Sequence, residues 1–160
     1  MAVKIGVVSD THLAGYDEQL ARVVERHFRD VDMVLHAGDL VDLAVLEMFS
    51  GKQVRAVRGN MDLPSTRRAL PEMLTLHLGA FTLGLAHGWG AADDIEDRLL
   101  ALFPVLDCLV YGHTHVAANH VQDGVLRFNP GSARLGRPPV PNSLGIIELT
   151  TVLQGRIIPL

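Results

Sequence analysis

The opening third of the chain alternates short apolar runs with amphipathic stretches, and few folds accommodate that order. Val3 to Val8 is almost continuously apolar and rich in β-branched residues, which suits a strand buried on both faces. Residues 18–30 then place Leu20, Val23, Val24 and Phe28 on one helical face and Arg22, Glu25, Arg26 and Arg29 on the other. Met33–His36 is a second short strand. A helix is expected next, from the N-cap Asp42 to just before Gly51, and then a strand over Val54–Val57. Strand, helix, strand, helix, strand implies a parallel sheet with right-handed crossovers.

The remainder continues in short elements. Leu63 to Pro71, with two prolines and Arg67-Arg68, reads as a surface connection. Met73–Leu78 and Phe81–Ala86 read as strands joined at Gly79-Ala80. A third helix starts at Asp93 or Asp94, turns Ile95, Leu99, Leu102 and Phe103 inward, and closes at Pro104. Cys108–Tyr111 is a further strand. Val116–Val121, Val125–Phe128, Leu144–Leu149 and Val152–Ile158 follow, with Asp123-Gly124 and Gln154-Gly155 as hairpin signals. No repeat or linker interrupts the chain, so residues 1–160 read as one domain. A parallel α/β half precedes an antiparallel half, giving two facing mixed sheets with helices outside.

Composition narrows the function. The net charge of −4 gives no electrostatic footprint for duplex nucleic acid. A single cysteine excludes an internal disulfide. Met1-Ala2-Val3-Lys4-Ile5 runs straight into a strand pattern, and no apolar stretch is long enough to span a bilayer. The expectation is a cytoplasmic protein without membrane contact. A homo-oligomer is compatible with the sequence.

Five of the strands end in metal-competent side chains: Asp10 and His12, Asp39, Asn60, His87, and His113 with His115. Extended backbone would send the two imidazoles of His113-Thr114-His115 to the same side. Ligands of open α/β sheets gather at the carboxyl ends of strands. Seven donors exceed one ordinary zinc site and suit two ions roughly 3.5–4 Å apart. Carboxylate, amide and imidazole donors without thiolate favour Mn, Fe, Zn, Co or Ni, with Mn expected first. Asp39, alone at its strand end, is the natural bridge.

Asp10-x-His12, Gly38-Asp39, Gly59-Asn60-x-Asp62, His87-Gly88 and Gly112-His113-x-His115 together resemble the ordered motifs of calcineurin-like metallophosphoesterases. The resemblance is to the small bacterial and archaeal phosphodiesterases that are similar to the retromer subunit Vps29. It implies a four-layer α/β/β/α sandwich. It also implies that Asp10, His12, Asp39 and His115 hold one metal, and that Asp39, Asn60, His87 and His113 hold the other. The activity implied is hydrolysis of small phosphodiesters by a metal-bridging hydroxide, with no protein nucleophile. One departure stands out: Met61 occupies a position where many relatives carry histidine. The alternative is a non-catalytic, Vps29-like interaction scaffold. A di-metal amidohydrolase fits poorly, because His-x-His comes late and a barrel typically needs about 250 residues.

Each residue also has a plainer reading. Asp10 and Asp39 could cap helices or shape turns, and Gly59-Asn60 is a turn dipeptide. Asp62 is expected to orient neighbouring groups rather than bind metal. His36 reads as a hydrogen-bonded core histidine, His120 as a surface residue and Cys108 as a small buried apolar group. Trp89 either lines the pocket or packs. Asn129-Pro130-Gly131-Ser132 reads as a structural loop. Arg134 and Arg137 could grip phosphate, but solvated arginines are the stronger reading.

Overall fold

The computed structural model describes residues 2–160. Ten strands form two five-stranded mixed sheets. The first contains β1 (Val3–Val8), β2 (Met33–His36), β3 (Gln53–Ala56), β9 (Ser143–Leu149) and β10 (Leu153–Pro159), in the order β10-β9-β1-β2-β3. β1, β2 and β3 are parallel, as the alternation with helices requires, and β9 runs antiparallel to β1. The second contains β4 (Met73–Leu78), β5 (Phe81–Ala86), β6 (Cys108–Val110), β7 (Ala118–Gln122) and β8 (Val125–Asn129), in the order β4-β5-β6-β8-β7. There β5, β6 and β8 are parallel, while β4 and β7 close the edges antiparallel.

Three apolar cores separate four layers. Helix α1 (Glu18–His27) and a 3₁₀ helix (Leu43–Phe49) bury Leu20, Val24, Phe28, Val45 and Phe49 against the outer face of the first sheet. Between the sheets lie Ile5, Val7, Leu35, Leu83, Leu85, Val110 and Phe128. Helix α3 (Ile95–Leu100) sets Ile95 and Leu99 against Leu109 and Tyr111 on the second sheet. The fold is the expected α/β/β/α sandwich. The chain does not divide into a parallel half and an antiparallel half, however. β7 and β8 join the second sheet, whereas β9 and β10 return to the first, where β9 covers the open edge of β1 and so removes an unpaired strand edge.

Several local expectations change. Gln154-Gly155 is not a hairpin turn but lies inside β10, and the reversal falls at 150–152. A Cβ at Gly155 would sit 2.6 Å from the Phe128 ring, so glycine there serves close packing of the sheets. The helix after Asp42 is of the 3₁₀ type, although Asp42 does cap it by accepting from Ala44 N. Residues 63–71 contain a helix, α2 (Pro64–Ala69), which starts on a proline and carries Arg67-Arg68 in its last turn. Both features were visible signals: proline suits the first helical position and cations suit the last turn. Helix α3 ends at Leu100, before Pro104, and leaves Leu102 exposed rather than inward.

Candidate metal centre

The carboxyl ends of β1, β2 and β3 meet those of β5 and β6 at one rim of the sandwich. This places Asp10, His12, Asp39 and Asn60 from the first sheet opposite His87, His113 and His115 from the second. All seven side chains form one chain of contacts. His115 Nε2 lies 3.2 Å from Asp10 Oδ1, and His12 Nε2 lies 3.7 Å from the same oxygen. Asp39 Oδ2 faces His12 Nε2 at 3.5 Å and His87 Nε2 at 3.3 Å. Asn60 Oδ1 sits 3.2 Å from both His87 Nε2 and His113 Nδ1. The imidazoles pair edge to face, His12 with His115 and His87 with His113, with centroids 5.2 and 5.3 Å apart.

Strand alternation is not what brings the side chains together. β6 stops at Val110, and His113 and His115 lie beyond it in left-handed backbone, as do Asp10, His12 and Asp39. Non-glycine residues rarely adopt positive φ, which costs on the order of 1–3 kcal/mol each and persists where surroundings enforce it. Val41, at φ 81°, is a β-branched case in the same loop cluster.

The enforcing contacts are hydrogen bonds. Ser9 Oγ and the backbone N–H of His113 both donate to Asp10 Oδ2. Met61 N–H donates to Asp39 Oδ1, which leaves Oδ2 for the histidines. His87 Nδ1 contacts Ala37 O at 2.7 Å, so Nδ1 carries the proton and Nε2 faces the centre. His113 Nε2 is paired in the same way with Gly90 O, which turns Nδ1 inward. The two Asp62 carboxylate oxygens accept from Val41 N and Gly59 N, bracing the loops that carry Asp39 and Asn60. Asn129 Nδ2 donates to Gly112 O and Thr114 Oγ1, and Ser132 Oγ donates to Asp10 O, so the Asn-Pro-Gly-Ser loop holds the histidine turn. Ser9 and the carbonyls of Ala37 and Gly90 were missed by sequence reasoning, because a backbone carbonyl carries no residue signature.

Charge at the centre is strongly coupled. Burial would raise the Asp10 carboxyl, but the facing His115 imidazole and its other partners outweigh it and hold it well below the usual range. Burial likewise opposes ionisation of Asp39, and His87 overcomes it. His87 rises despite burial because of Asp39, and His115 rises because its ring faces the Asp10 carboxylate. The two carboxylates thus favour positive charge at the imidazoles, His87 and His115, that face them.

Two buried atoms at the centre, Asp10 Oδ1 and His12 Nε2, have no hydrogen-bond partner among the described residues. A buried unsatisfied polar atom costs about 1–3 kcal/mol, so both atoms call for a ligand. Asp10, His12 and His115 form one set of donors compact enough for a cation, and Asp10, Asp39 and His87 form another. The donor set therefore fits divalent cations.

The remaining candidates lie away from this point. Arg134 pairs with Asp17, the N-cap of α1, and Arg137 is exposed in the 137–142 loop. His120 pairs with Glu96 on the surface, and His36 is buried, bonded to Thr11 Oγ1 and Gly38 N. Trp89 is half-exposed and lines a pocket with Asn60 and His87.

A four-layer sandwich with aspartate, asparagine and histidine gathered where its two sheets meet defines the metallophosphoesterase class. The chain belongs to the calcineurin-like phosphoesterase superfamily, whose domain it matches over residues 3–152. It is 32% identical over 160 residues to a probable metallophosphoesterase of Methanocaldococcus jannaschii, an alignment covering 98% of this chain and 81% of that one. The structure of an archaeal phosphodiesterase superposes with a TM-score of 0.80 at 25% identity, covering 99% of this chain and all of that one. Vps29 from Cryptosporidium parvum has the same fold, with a TM-score of 0.80 at 24% identity and coverage of 99% and 92%. No helix among the described residues is long and apolar enough to cross a membrane.

Proposed function

We propose that the chain is a phosphodiesterase that uses two divalent cations, manganese first among them, to hydrolyse small phosphodiesters. The observation that carries this reading is the placement of Asp39 Oδ2 between the His12 and His87 imidazoles, with a histidine pair on either side. Asp10, His12 and His115 would hold one ion, and Asn60, His87 and His113 the other, with Asp39 shared. When bound, such a pair supplies Lewis acidity and a water acidified towards neutrality.

The chain's own residues do the positioning. Ala37 O and Gly90 O fix the tautomers of His87 and His113, so that the free nitrogens face the centre. Ser9 and His113 N–H hold Asp10 so that Oδ1 stays free. Ser9 is no nucleophile, because it is fully buried and donates to Asp10. Met61 is exposed at the rim and its thioether offers no proton, so stabilisation of the leaving group would fall to metal or water.

The second reading is a non-catalytic scaffold, favoured by the likeness to Vps29, which is one of fold alone. Against it stand the two unsatisfied atoms, Asp10 Oδ1 and His12 Nε2, which a scaffold would have no reason to keep buried. Metal-free protein reconstituted separately with Mn, Zn, Ni and Mg, then screened against phosphomonoesters and phosphodiesters, decides between the two. Diester hydrolysis in at least one metal form is expected. Tight metal binding without turnover would favour the scaffold.

A further inference from the structure

Beside the candidate centre lies a second pocket of about 210 Å³ that shares Asn60 and His87 with it. Its outer wall is Trp89, Leu102, Arg58 and Arg67. Trp89 and Leu102 are 47% and 43% exposed, so two large apolar side chains flank the reacting centre without being packed away. Trp89 is nevertheless held in place. The Arg98 guanidinium donates to Trp89 O at 2.7 Å and to Ala91 O at 2.6 Å, and its carbon lies 6.0 Å from the indole centroid. Asp94 pairs with Arg98 from the other side. An aromatic residue whose backbone is pinned by an arginine and whose ring is left open to solvent offers a stacking platform.

The charge of the pocket favours an anion at the adjoining centre. Arg58 is committed to Glu72 and to Arg67 O, while the Arg67 guanidinium donates to nothing among the described residues. Two arginines against one glutamate leave one positive charge, and a phosphodiester carries one negative charge. Size points the same way, since a cavity of about 150 Å³ suffices for benzene. The pocket thus admits one ring. The other cavities do not compete. The 530 Å³ groove between α1 and the 3₁₀ helix shares no residue with the centre. The 450 Å³ cavity beside Thr114 sets Asp94, Glu96 and Asp97 against the single cation Arg127, so it is net acidic.

We propose that this pocket binds the ester arm that is not the leaving group, and selects diesters in which that arm is an aromatic ring stacked on Trp89. The inference rests on the phosphodiesterase reading for its substrate class. Trp89 is the only tryptophan in the chain, so its fluorescence reports the pocket without any need for turnover.

The test uses the metal-reconstituted full chain. Diphenyl phosphate should change the fluorescence saturably, and dimethyl phosphate, of equal charge, should not. The kinetic arm compares phenyl para-nitrophenyl phosphate with methyl para-nitrophenyl phosphate, which share a leaving group. Trp89→Ala should cut the phenyl-over-methyl ratio of kcat/KM roughly tenfold, as loss of one stacked ring does, and Trp89→Phe should restore most of it. An unchanged ratio, or equal fluorescence responses to the two diesters, would overturn the proposal even if both esters are hydrolysed. A ring-dependent fluorescence response with neither ester hydrolysed would support the pocket and remove the phosphodiesterase reading.

Discussion

The backbone N–H of His113 donates to Asp10 Oδ2 at 3.1 Å, tying the end of β6 in one sheet to the end of β1 in the other. Gly112 permits this approach, because a Cβ there would lie 2.1 Å from Ser9 Oγ and 2.8 Å from Asp10 Oδ2. Gly112→Ala must therefore push the two strand ends apart. We expect a loss of about 1–3 kcal/mol in the free energy of unfolding, as for overpacking elsewhere, with weaker metal binding. Urea denaturation and metal titration of the variant would measure both. Wild-type values in each would mean that the sheets separate there without cost.

Asp39 Oδ2 faces one imidazole of each histidine pair, His12 and His87, so Asp39→Asn should abolish diester hydrolysis and lower the affinity of both ions. The substitution is nearly isosteric, and Asn can still accept from Met61 N–H at Oδ1, so the fold should survive. Metal stoichiometry by elemental analysis, read beside circular dichroism, separates the two effects. A variant that keeps both ions bound and stays active would rule out Asp39 as the shared ligand.

With Met61 at the rim and no proton donor in its side chain, turnover should depend steeply on the leaving group. A para-nitrophenyl diester should react far faster than a dialkyl diester, in the manner of a reaction without general-acid assistance. Equal rates, with chemistry limiting, would show that an acid lies elsewhere in the site.

His36 should stay neutral well below the usual histidine range. Burial lowers its pKa from 6.5 to about 4, and its Nδ1 already accepts the Gly38 N–H, so a second proton would break that bond. A histidine whose folded pKa lies below its unfolded one stabilises the fold fully above about pH 6.5. That contribution, on the order of 3 kcal/mol, is lost as pH falls towards 4. NMR titration of the ring in metal-free protein, beside the pH dependence of unfolding for wild type and His36→Gln, tests this. A ring that titrates near 6.5 in the folded protein would refute it.

Cys108 is fully buried between the sheets, and burial raises its thiol far above the usual range. Native protein should resist alkylation at mildly alkaline pH and react promptly once unfolded in denaturant. Rapid modification of the native state would mean that the core between the sheets opens readily.

Much of the architecture was legible because periodicity is a local property. Val3–Val8 and Met33–His36 carry the apolar continuity of doubly buried strands, and both are strands with those bounds. Asp42 was readable as a cap because a short acidic side chain can reach a nearby backbone N–H. Gly155 was misread because its glycine answers to Phe128, a residue in the other sheet that no local window contains. The destination of β9 and β10 was hidden for the same reason, since strand pairing is decided between distant segments.

By itself the sequence determined which segments become strands, their parallel order in the opening third, and which strand ends carry carboxylate, amide and imidazole groups. Only the tertiary structure decided how those groups meet. Five of the seven side chains hang from left-handed backbone, which is uncommon for any residue but glycine. Asp10, Asp39 and the histidine turn are held by hydrogen bonds from Ser9, Met61, Asn129 and Ser132, donors spread widely along the chain. Composition and spacing set which chemistry is available, whereas its geometry comes from contacts that exist only once both sheets have closed on each other.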